Sequence, residues 1–296
     1  MITLALLSDI HGNLPAFEAV AADLLARRPD AVYVLGDMIN GCPWSAEVMD
    51  RLLDLGWPML LGNHEDALLQ LGTSRIEPRY LDRDRYAALW WTREHLTERH
   101  LAVLAALPLE SQLTLPEAPP LRIFHGVPGN ISVGFRPDSR AEWIAHHLAA
   151  IPDGTVAGGH THVPMTRWIS RPGVGADDGR WLVINSGSVG IPFDGDPRAS
   201  YAWLIGKLEG WQAAIVRVPY DREAVAEGYR QSSLSTEGGV LGEMFLRSAM
   251  TALPWVSDFL WWLRRCFGDT PTDMVAALRR YDATHGPGRW AFPLAA

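Results

Sequence analysis

The sequence predicts an α/β protein: a four-layer αββα sandwich of two mixed sheets flanked by helices, with a C-terminal helical extension. Two observations predict it. In the first part of the chain, apolar runs of strand length alternate with segments of helical periodicity, the pattern of parallel strands joined by helical crossovers. From Thr155 to Val218 the chain becomes a succession of strand-like runs, and after Pro219 it becomes helical.

Ile2–Leu7 is a continuous apolar run of buried-strand length. Pro15–Arg28 carries Phe17, Val20, Ala21, Leu24 and Leu25 at helical spacing, with Pro15 where a first turn tolerates it. Ala31–Leu35 is the next strand. Ser45 is placed to cap a helix running to Leu55, which Gly56 stops. Met59–Leu61 reads as a third strand. Tyr86–Leu107 reads as two helices joined near Thr97. Leu113–Leu115 and Leu121–Phe124 are strands around a Pro-rich turn, and Ala141–Ala150 is a helix. The later strands are Thr155–Ala157, Met165–Ile169, Trp181–Ile184, Tyr201–Ile205 and Ala213–Val216. Asp221–Gln231, Val240–Ala252, Trp255–Phe267 and Thr272–Ala283 are helices, the last three separated by Pro254 and Pro271. Residues 1–219 thus form the main domain and residues 220–296 an extension holding Trp255, Trp261, Trp262 and Trp290. The extension is expected to pack on the domain, to close over the site as a lid, or to form a dimer contact. An interfacial surface built on Trp255, Phe259, Leu260, Trp262 and Leu263 is a further reading.

The 296 residues suffice for one large domain with an appendage, and the net charge of −8 argues against a protein that tracks along nucleic acid. Two cysteines, Cys42 and Cys266, make no disulfide framework and fit a reducing compartment. No apolar stretch is long enough to span a bilayer, and the apolar N-terminus lacks the basic flank of a signal peptide. A cytoplasmic location is expected.

Five clusters rich in Asp, Asn and His follow strands or lie in loops: Asp9-Ile10-His11, Gly36-Asp37, Gly62-Asn63-His64-Glu65, His125-Gly126 and Gly159-His160-Thr161-His162. Loops at the ends of adjacent strands converge on one point. Imidazole nitrogen together with carboxylate and amide oxygen suits borderline divalent cations. Each cluster alone is weak. A lone Asp-x-His is more often a turn beside a surface histidine, and a lone Gly-Asp is a common strand-end turn. Their joint occurrence in order decides between the readings.

The set resembles the calcineurin-like metallophosphoesterase superfamily, whose pattern is Asp-x-His, Gly-Asp, Gly-Asn-His-Asp/Glu, His and Gly-His-x-His. The stretch from Asn185 to Gly190, followed by Asp196-Pro197-Arg198, is similar to the small bacterial branch of phosphodiesterases and diadenosine tetraphosphate hydrolases, with Ser186 where that branch more often has Pro. The resemblance implies that Asp9, His11 and His162 hold one metal, that Asn63, His125 and His160 hold a second, and that Asp37 bridges them. It implies two divalent cations, manganese first, with iron, zinc, nickel or magnesium as alternatives. His64 would be the general acid or charge stabiliser beside the phosphate, and Glu65 would orient a neighbour. Two divalent cations set against Asp9, Asp37 and a bridging hydroxide leave the centre net positive, so it attracts a phosphate even in an acidic protein. A bridging hydroxide near neutral pH is the expected nucleophile.

The implied activity is hydrolysis of a small phosphodiester, phosphomonoester or nucleotide polyphosphate. A lipid-linked nucleotide is an alternative substrate, supported only by the apolar extension. A Ser/Thr protein phosphatase is disfavoured because Met38, Ile39, Asn40 and Gly41 follow Asp37 and Asp66 follows Glu65, where that branch carries arginines. A non-catalytic metal-binding scaffold of the same fold is the rival from another class. Asn130, Arg136, Arg140 and Arg198 are candidates for holding substrate phosphate, because Arg offers a fork of donors. Cys42 is read as a packing residue, and His95, His100, His146, His147 and His285 as doing no chemistry. The expected partners are a small phosphorylated substrate and a second copy of the chain through the C-terminal helices.

Overall fold

The computed structural model describes residues 1–172, 179–268, 270 and 272–285; Pro271 and Trp290 lie outside the described residues. The first half runs β1 (Ile2–Leu7), α1 (Leu14–Arg27), β2 (Ala31–Val34), α2 (Ser45–Leu55), α3 (Asn63–Gln70), a 3-10 turn (Pro78–Leu81), α4 (Ala87–His95), α5 (Glu98–Ala105), β3 (Glu110–Leu115) and β4 (Ala118–Phe124). It continues with α6 (Ala141–Leu148), β5 (Thr155–Gly158), β6 (Met165–Ser170), β7 (Arg180–Asn185), β8 (Ala199–Lys207) and β9 (Gly210–Val218). The extension holds α7 (Arg222–Gln231), α8 (Leu234–Glu237), α9 (Gly239–Thr251), α10 (Trp255–Phe267) and α11 (Met274–His285).

Two mixed sheets result, one ordered β2-β1-β8-β9 and the other β3-β4-β5-β7-β6. β1 pairs parallel with β2 and antiparallel with β8, and β5 lies parallel to both β4 and β7. The alternation of side chains along β1 explains the layering. Leu4 and Leu6 point between the sheets, where they meet Leu121, Ile123, Leu182, Ile184 and Leu204. Ala5 and Leu7 point the other way, into a core with Phe17 and Val20 of α1 and Val48 and Leu52 of α2. On the outer face of the second sheet, Ile144 and Leu148 of α6 close over Val156, Val183 and Ile169. Burying each such side chain is worth about 1.5–3 kcal/mol, so the order helix, sheet, sheet, helix follows from which face of each strand is apolar.

Two local expectations are corrected. Met59–Leu61 is no full strand: a single parallel bridge joins Val34 to Met59, and the chain turns into α3 at Asn63. Ser45 does not cap α2. It is the first helical residue, and its hydroxyl accepts the Asn40 N–H at 3.1 Å. α3 begins at Asn63, where the Glu65 side chain reaches back to accept the Gly62 N–H at 2.9 Å.

The extension is capped by Asp221, whose carboxylate accepts the Ala224 N–H at 3.1 Å. Its core is shared with the main body: Met244, Phe245, Trp255 and Phe259 pack with Cys42, Ala88, Trp91 and Ile191. Trp255, Phe259 and Leu263 are buried, so the interfacial surface read from the sequence is in fact the inward face of α10. No helix among the described residues is long and apolar enough to cross a membrane.

Candidate metal centre

The carboxyl ends of β1, β2, β4 and β5 point to one place, and each is followed by one of the sequence clusters. Asp9 and His11 follow β1, Asp37 follows β2, His125 follows β4, and His160 and His162 follow β5. Asn63 and His64 enter from the first turn of α3.

Two overlapping groups of ligand atoms form there. One comprises Asp9, His11, Asp37 and His162; the other comprises Asp37, His125 and His160; the ligand atoms of each lie within 4.8 Å of one another. Asp37 is common to both. Asn63 Oδ1 joins the second group, 2.8 Å from His160 Nδ1 and 3.1 Å from His125 Nε2.

Protonation fits a cation. His11, His125 and His162 each direct Nδ1 at a backbone carbonyl: Asn40 O at 2.7 Å, Leu35 O at 2.8 Å and Ile191 O at 2.5 Å. A carbonyl accepts only, so each Nδ1 carries a proton and each ring turns Nε2 inward, the atom that ligates a cation once it bears no proton. There His11 Nε2 faces His162 Nε2 at 3.1 Å, and His125 Nε2 faces Asp37 Oδ2 at 3.2 Å. Lone pairs opposed at such distances repel unless a proton or a cation lies between them. Asp9 Oδ1, fully buried, lies 3.3 Å from His162 Nε2 and has no hydrogen-bond partner among the described residues. These residues therefore fit divalent cations.

The charges follow the same logic. Burial would raise the Asp37 carboxyl, but His125, then His64 and His11, hold it well below the usual carboxylate range. Burial would likewise raise Asp9, and His162 followed by His125 lowers it. Burial opposes the charged form of His125, yet the carboxylates around it, Asp37 first and then Asp9 and Glu65, together raise the imidazole to about 9. Burial, followed by His64 and His162, lowers His11 to about 3, and burial followed by His125 lowers His160 to about 4. Burial also lowers His64. Both carboxylates stay ionised and the His11 and His160 imidazoles stay neutral, the forms in which they bind metal.

The backbone is strained where the ligands sit. Asp9, His11, Asp37, Asn40, His160 and His162 have φ of 58°, 51°, 53°, 64°, 67° and 58°. Left-handed conformations cost roughly 1–2 kcal/mol for residues with a Cβ and collect at functional sites. Glycines make room for the resulting loops. A Cβ on Gly62 would overlap Asp37, and one on Gly159 would overlap Ser8 and Asp9.

Glu65 organises the Asp37 loop. Its buried carboxylate accepts four backbone N–H groups: Asp37 at 2.8 Å, Met38 at 2.8 Å, Ile39 at 3.2 Å and Gly62 at 2.9 Å. Burial, then the Asp37 charge, pushes this carboxyl up to about 7. Asp37 Oδ1 in turn accepts the His64 N–H at 2.9 Å. The segment from Asn185 to Gly190 fastens the other side. Asn185 Nδ2 reaches Gly159 O at 2.7 Å, and the Ser188 hydroxyl donates to Asp9 O at 2.8 Å.

Asn40 was missed as a site residue. Its Nδ2 donates to His64 Nδ1 at 2.7 Å while Thr92 Oγ1 approaches Asn40 Oδ1 at 3.5 Å. The amide thereby leaves the His64 proton on Nε2, 3.9 Å from Asp37 Oδ2. The sequence signal was its place in the loop after Asp37. Phe193 stacks on His162 at 4.2 Å, and Phe245 of α9 lies 5.9 Å from His64 and 6.1 Å from His11, contacts that no sequence pattern announces.

The substrate-binding candidates are not drawn into the cluster by any contact among the described residues. Asn130 Oδ1 accepts the Ser132 N–H at 2.8 Å within its own turn. Arg136 pairs with Asp138 at 3.3 Å, Arg140 with Glu142 at 3.7 Å and Arg198 with Asp196 at 2.7 Å. The donor fork suggested the three arginines and nearness to His125 suggested Asn130; in the structure each guanidinium pairs with a neighbouring carboxylate at the surface. A cavity of about 260 Å³ opens over Asn63, His64 and His160, walled by Tyr80, Phe245 and Leu260.

Cys42 is buried in the core shared with the extension, and burial pushes its thiol up to about 12; Cys266 is exposed. A disulfide reagent at pH ~8 is therefore expected to label Cys266 alone in the native protein, and both thiols after denaturation. Two fast-reacting thiols in the native state would contradict this burial.

The comparisons agree with this geometry. A model of the Calcineurin-like phosphoesterase family matches residues 2–171. The uncharacterized protein MJ0912 of Methanocaldococcus jannaschii is 27% identical over 233 residues, 74% of this chain and 88% of its own length. The crystal structure of a metallophosphoesterase from Sphaerobacter thermophilus superposes with a TM-score of 0.65 at 27% identity, covering 85% of this chain and 99% of that one. A symmetrical bis(5'-nucleosyl)-tetraphosphatase of Acidovorax sp. (strain JS42) is 38% identical over 104 residues, 31% of this chain and 37% of the relative.

Proposed function

The chain belongs to the calcineurin-like phosphoesterase family and is a phosphoester hydrolase, and we propose that it acts with two divalent cations on a small phosphodiester, phosphomonoester or nucleotide polyphosphate. The observation that carries this reading is the pair of ligand groups sharing the Asp37 carboxylate. Asp9, His11 and His162 would hold one cation, Asn63, His125 and His160 the other, and Asp37 both, with manganese the first candidate. When bound, such a pair supplies Lewis-acid polarisation of a phosphoryl oxygen and an acidified water.

The chain's own residues do the rest. Asp37 and Asp9 stay ionised, so no proton on either carboxylate competes with a cation near neutral pH. His64, held by Asn40, presents its Nε2 proton as a hydrogen-bond donor to a phosphate oxygen or to the departing group. The walls contributed by Tyr80, Phe245 and Leu260 limit water over the reacting phosphate. Nucleotide polyphosphates enter as a substrate class partly through the partial likeness to the tetraphosphatase.

Hydrolysis of bis(p-nitrophenyl) phosphate with added manganese is the test. The wild type should turn over, and His64→Ala should lose about 10²–10⁴-fold in kcat with its metal content unchanged. Absence of turnover, with the variant indistinguishable from wild type, would mean a scaffold rather than an enzyme.

A further inference from the structure

The cavity over the metal ligands does not end there. A second, larger cavity of about 520 Å³ lies beside it, and the two share Glu77, Arg79, Tyr86 and Leu260 as lining residues. The far wall of the second cavity belongs to α10, through Trp261, Leu263 and Arg264. The cleft therefore runs from the proposed reacting centre, past the turn that carries Arg79, to the C-terminal extension.

Its chemistry is distinctive. Three arginines, Arg79, Arg85 and Arg264, line the outer cavity against one carboxylate, Glu77, in a chain of net charge −8. Arg79 pairs with Glu77 at 3.0 Å and lies 4.7 Å from the centroid of the Tyr80 ring. Arg85 is buried, donates to the carbonyls of Gly268 and Thr270, and is 3.6 Å from Asp82. Arg264 has no carboxylate partner among the described residues and is exposed. Beside it, the Trp261 residue remains 62% exposed although most large apolar side chains of α9 and α10 are buried. The Arg265 guanidinium lies over the Trp261 ring, 4.5 Å from its centroid, so a cation without a carboxylate partner stands next to a half-covered indole, which suits a ligand that joins an anionic group to a flat ring.

We propose that this outer cavity is a leaving-group subsite. It takes phosphoesters or phosphoanhydrides whose departing half carries its own anionic group and an aromatic ring, the anion on Arg264 with Arg79 and the ring against Trp261 and Leu260. The inference rests on the proposed reaction only for the word leaving; the binding of a ring-bearing anion stands on the outer cavity alone. Reaction at the inner site then breaks the bond from phosphorus to the bridging oxygen. Water supplies the new oxygen on phosphorus, and the departing oxygen takes a proton. The extension becomes the element that distinguishes an anionic departing group from an uncharged one.

Three substrates separate the contributions in the manganese-loaded, full-length protein: P1,P2-diadenosine diphosphate, whose departing half is AMP with ring and anion; tripolyphosphate, with anion only; and bis(p-nitrophenyl) phosphate, whose departing nitrophenyl group has a ring and no second anionic group. Arg264→Glu should lower kcat/KM for the diadenosine compound by roughly 10- to 100-fold, mainly through KM, while bis(p-nitrophenyl) phosphate changes less than about twofold. Trp261→Ala should weaken the diadenosine compound and spare tripolyphosphate. A separate readout needs no turnover. AMP should quench tryptophan fluorescence in the chelator-treated protein, and Arg264→Glu should abolish the quench.

If no substrate is hydrolysed but AMP binds through Arg264, the reaction proposed above fails and the ring-anion site survives. If turnover is robust and Arg264→Glu lowers every substrate equally or none, the subsite is overturned. It is overturned too if AMP leaves the fluorescence unchanged, or if Trp261→Ala alters only the oligomeric mass, which would make this face a contact between copies.

Discussion

Asp37→Asn is expected to lower turnover by about 10³-fold or more, a barrier increase of about 4 kcal/mol, and to leave the protein with one cation or none per chain. The substitution is nearly isosteric. The Asn oxygen can still accept the His64 N–H that now meets Oδ1 at 2.9 Å. On the other side, however, an NH2 group would face His125 Nε2, 3.2 Å away, and His11 Nε2, 3.8 Å away, where the carboxylate now offers a negative oxygen. One charge is lost from the only residue common to both ligand groups, so both cations are weakened by a single change. Metal analysis after gel filtration, alongside turnover of bis(p-nitrophenyl) phosphate, checks this. Two cations per chain with wild-type turnover would remove Asp37 from its proposed role.

The same variant carries a pH signature in the metal-free protein. His125 is raised from 6.5 to about 9 against burial by its carboxylate neighbours, Asp37 foremost, with Asp9 and Glu65. A folded-state pKa above the unfolded one stabilises fully below pH 6.5, and that contribution is lost as pH rises through about 9. Chelator-treated wild type should therefore lose stability across that window, and Asp37→Asn should flatten the slope.

Glu65→Ala should destabilise the fold by about 3–5 kcal/mol, among the largest effects available outside the central core. Four buried N–H groups, those of Gly62, Asp37, Met38 and Ile39, would lose their acceptor together. Water entering the vacated space can satisfy part of them, which sets the upper bound. Glu65→Gln should fall between, since its amide keeps one acceptor oxygen and turns N–H donors against N–H donors at the other. The Asp37 loop would loosen, and metal affinity should drop by roughly 10- to 100-fold. Chemical denaturation with and without manganese separates the two effects. A Glu65→Ala variant within about 0.5 kcal/mol of wild type would show that the loop holds itself.

These two positions also show what could be read early. Asp37 was legible because Gly-Asp sits among four other clusters in a fixed order. Glu65 was read as orienting a neighbour, but its four donors come from two loops distant in sequence. Asn40 was legible only as a residue that is not arginine; its bond to His64, in α3, starts from a loop position whose left-handed φ of 64° no local pattern specifies. Arg136 and Arg198 were named for their donor forks, and in the folded chain both pair at the surface with adjacent aspartates. The run Met59–Leu61 looked like a strand because it is apolar, yet only Met59 makes a bridge before Glu65 pulls Asn63 into a helix.

By itself the sequence determined the layers and the inventory of candidate ligands. Strand and helix periods are local properties of side-chain spacing, and the Asp, Asn and His clusters are set by residue type. The tertiary structure alone decided how those clusters share Asp37, which imidazole nitrogen faces inward, and what walls the cavity. Those depend on contacts between residues far apart in the chain, such as His11 with His162 and His64 with Phe245. No spacing rule encodes such contacts, because they exist only once the two sheets and the extension have packed.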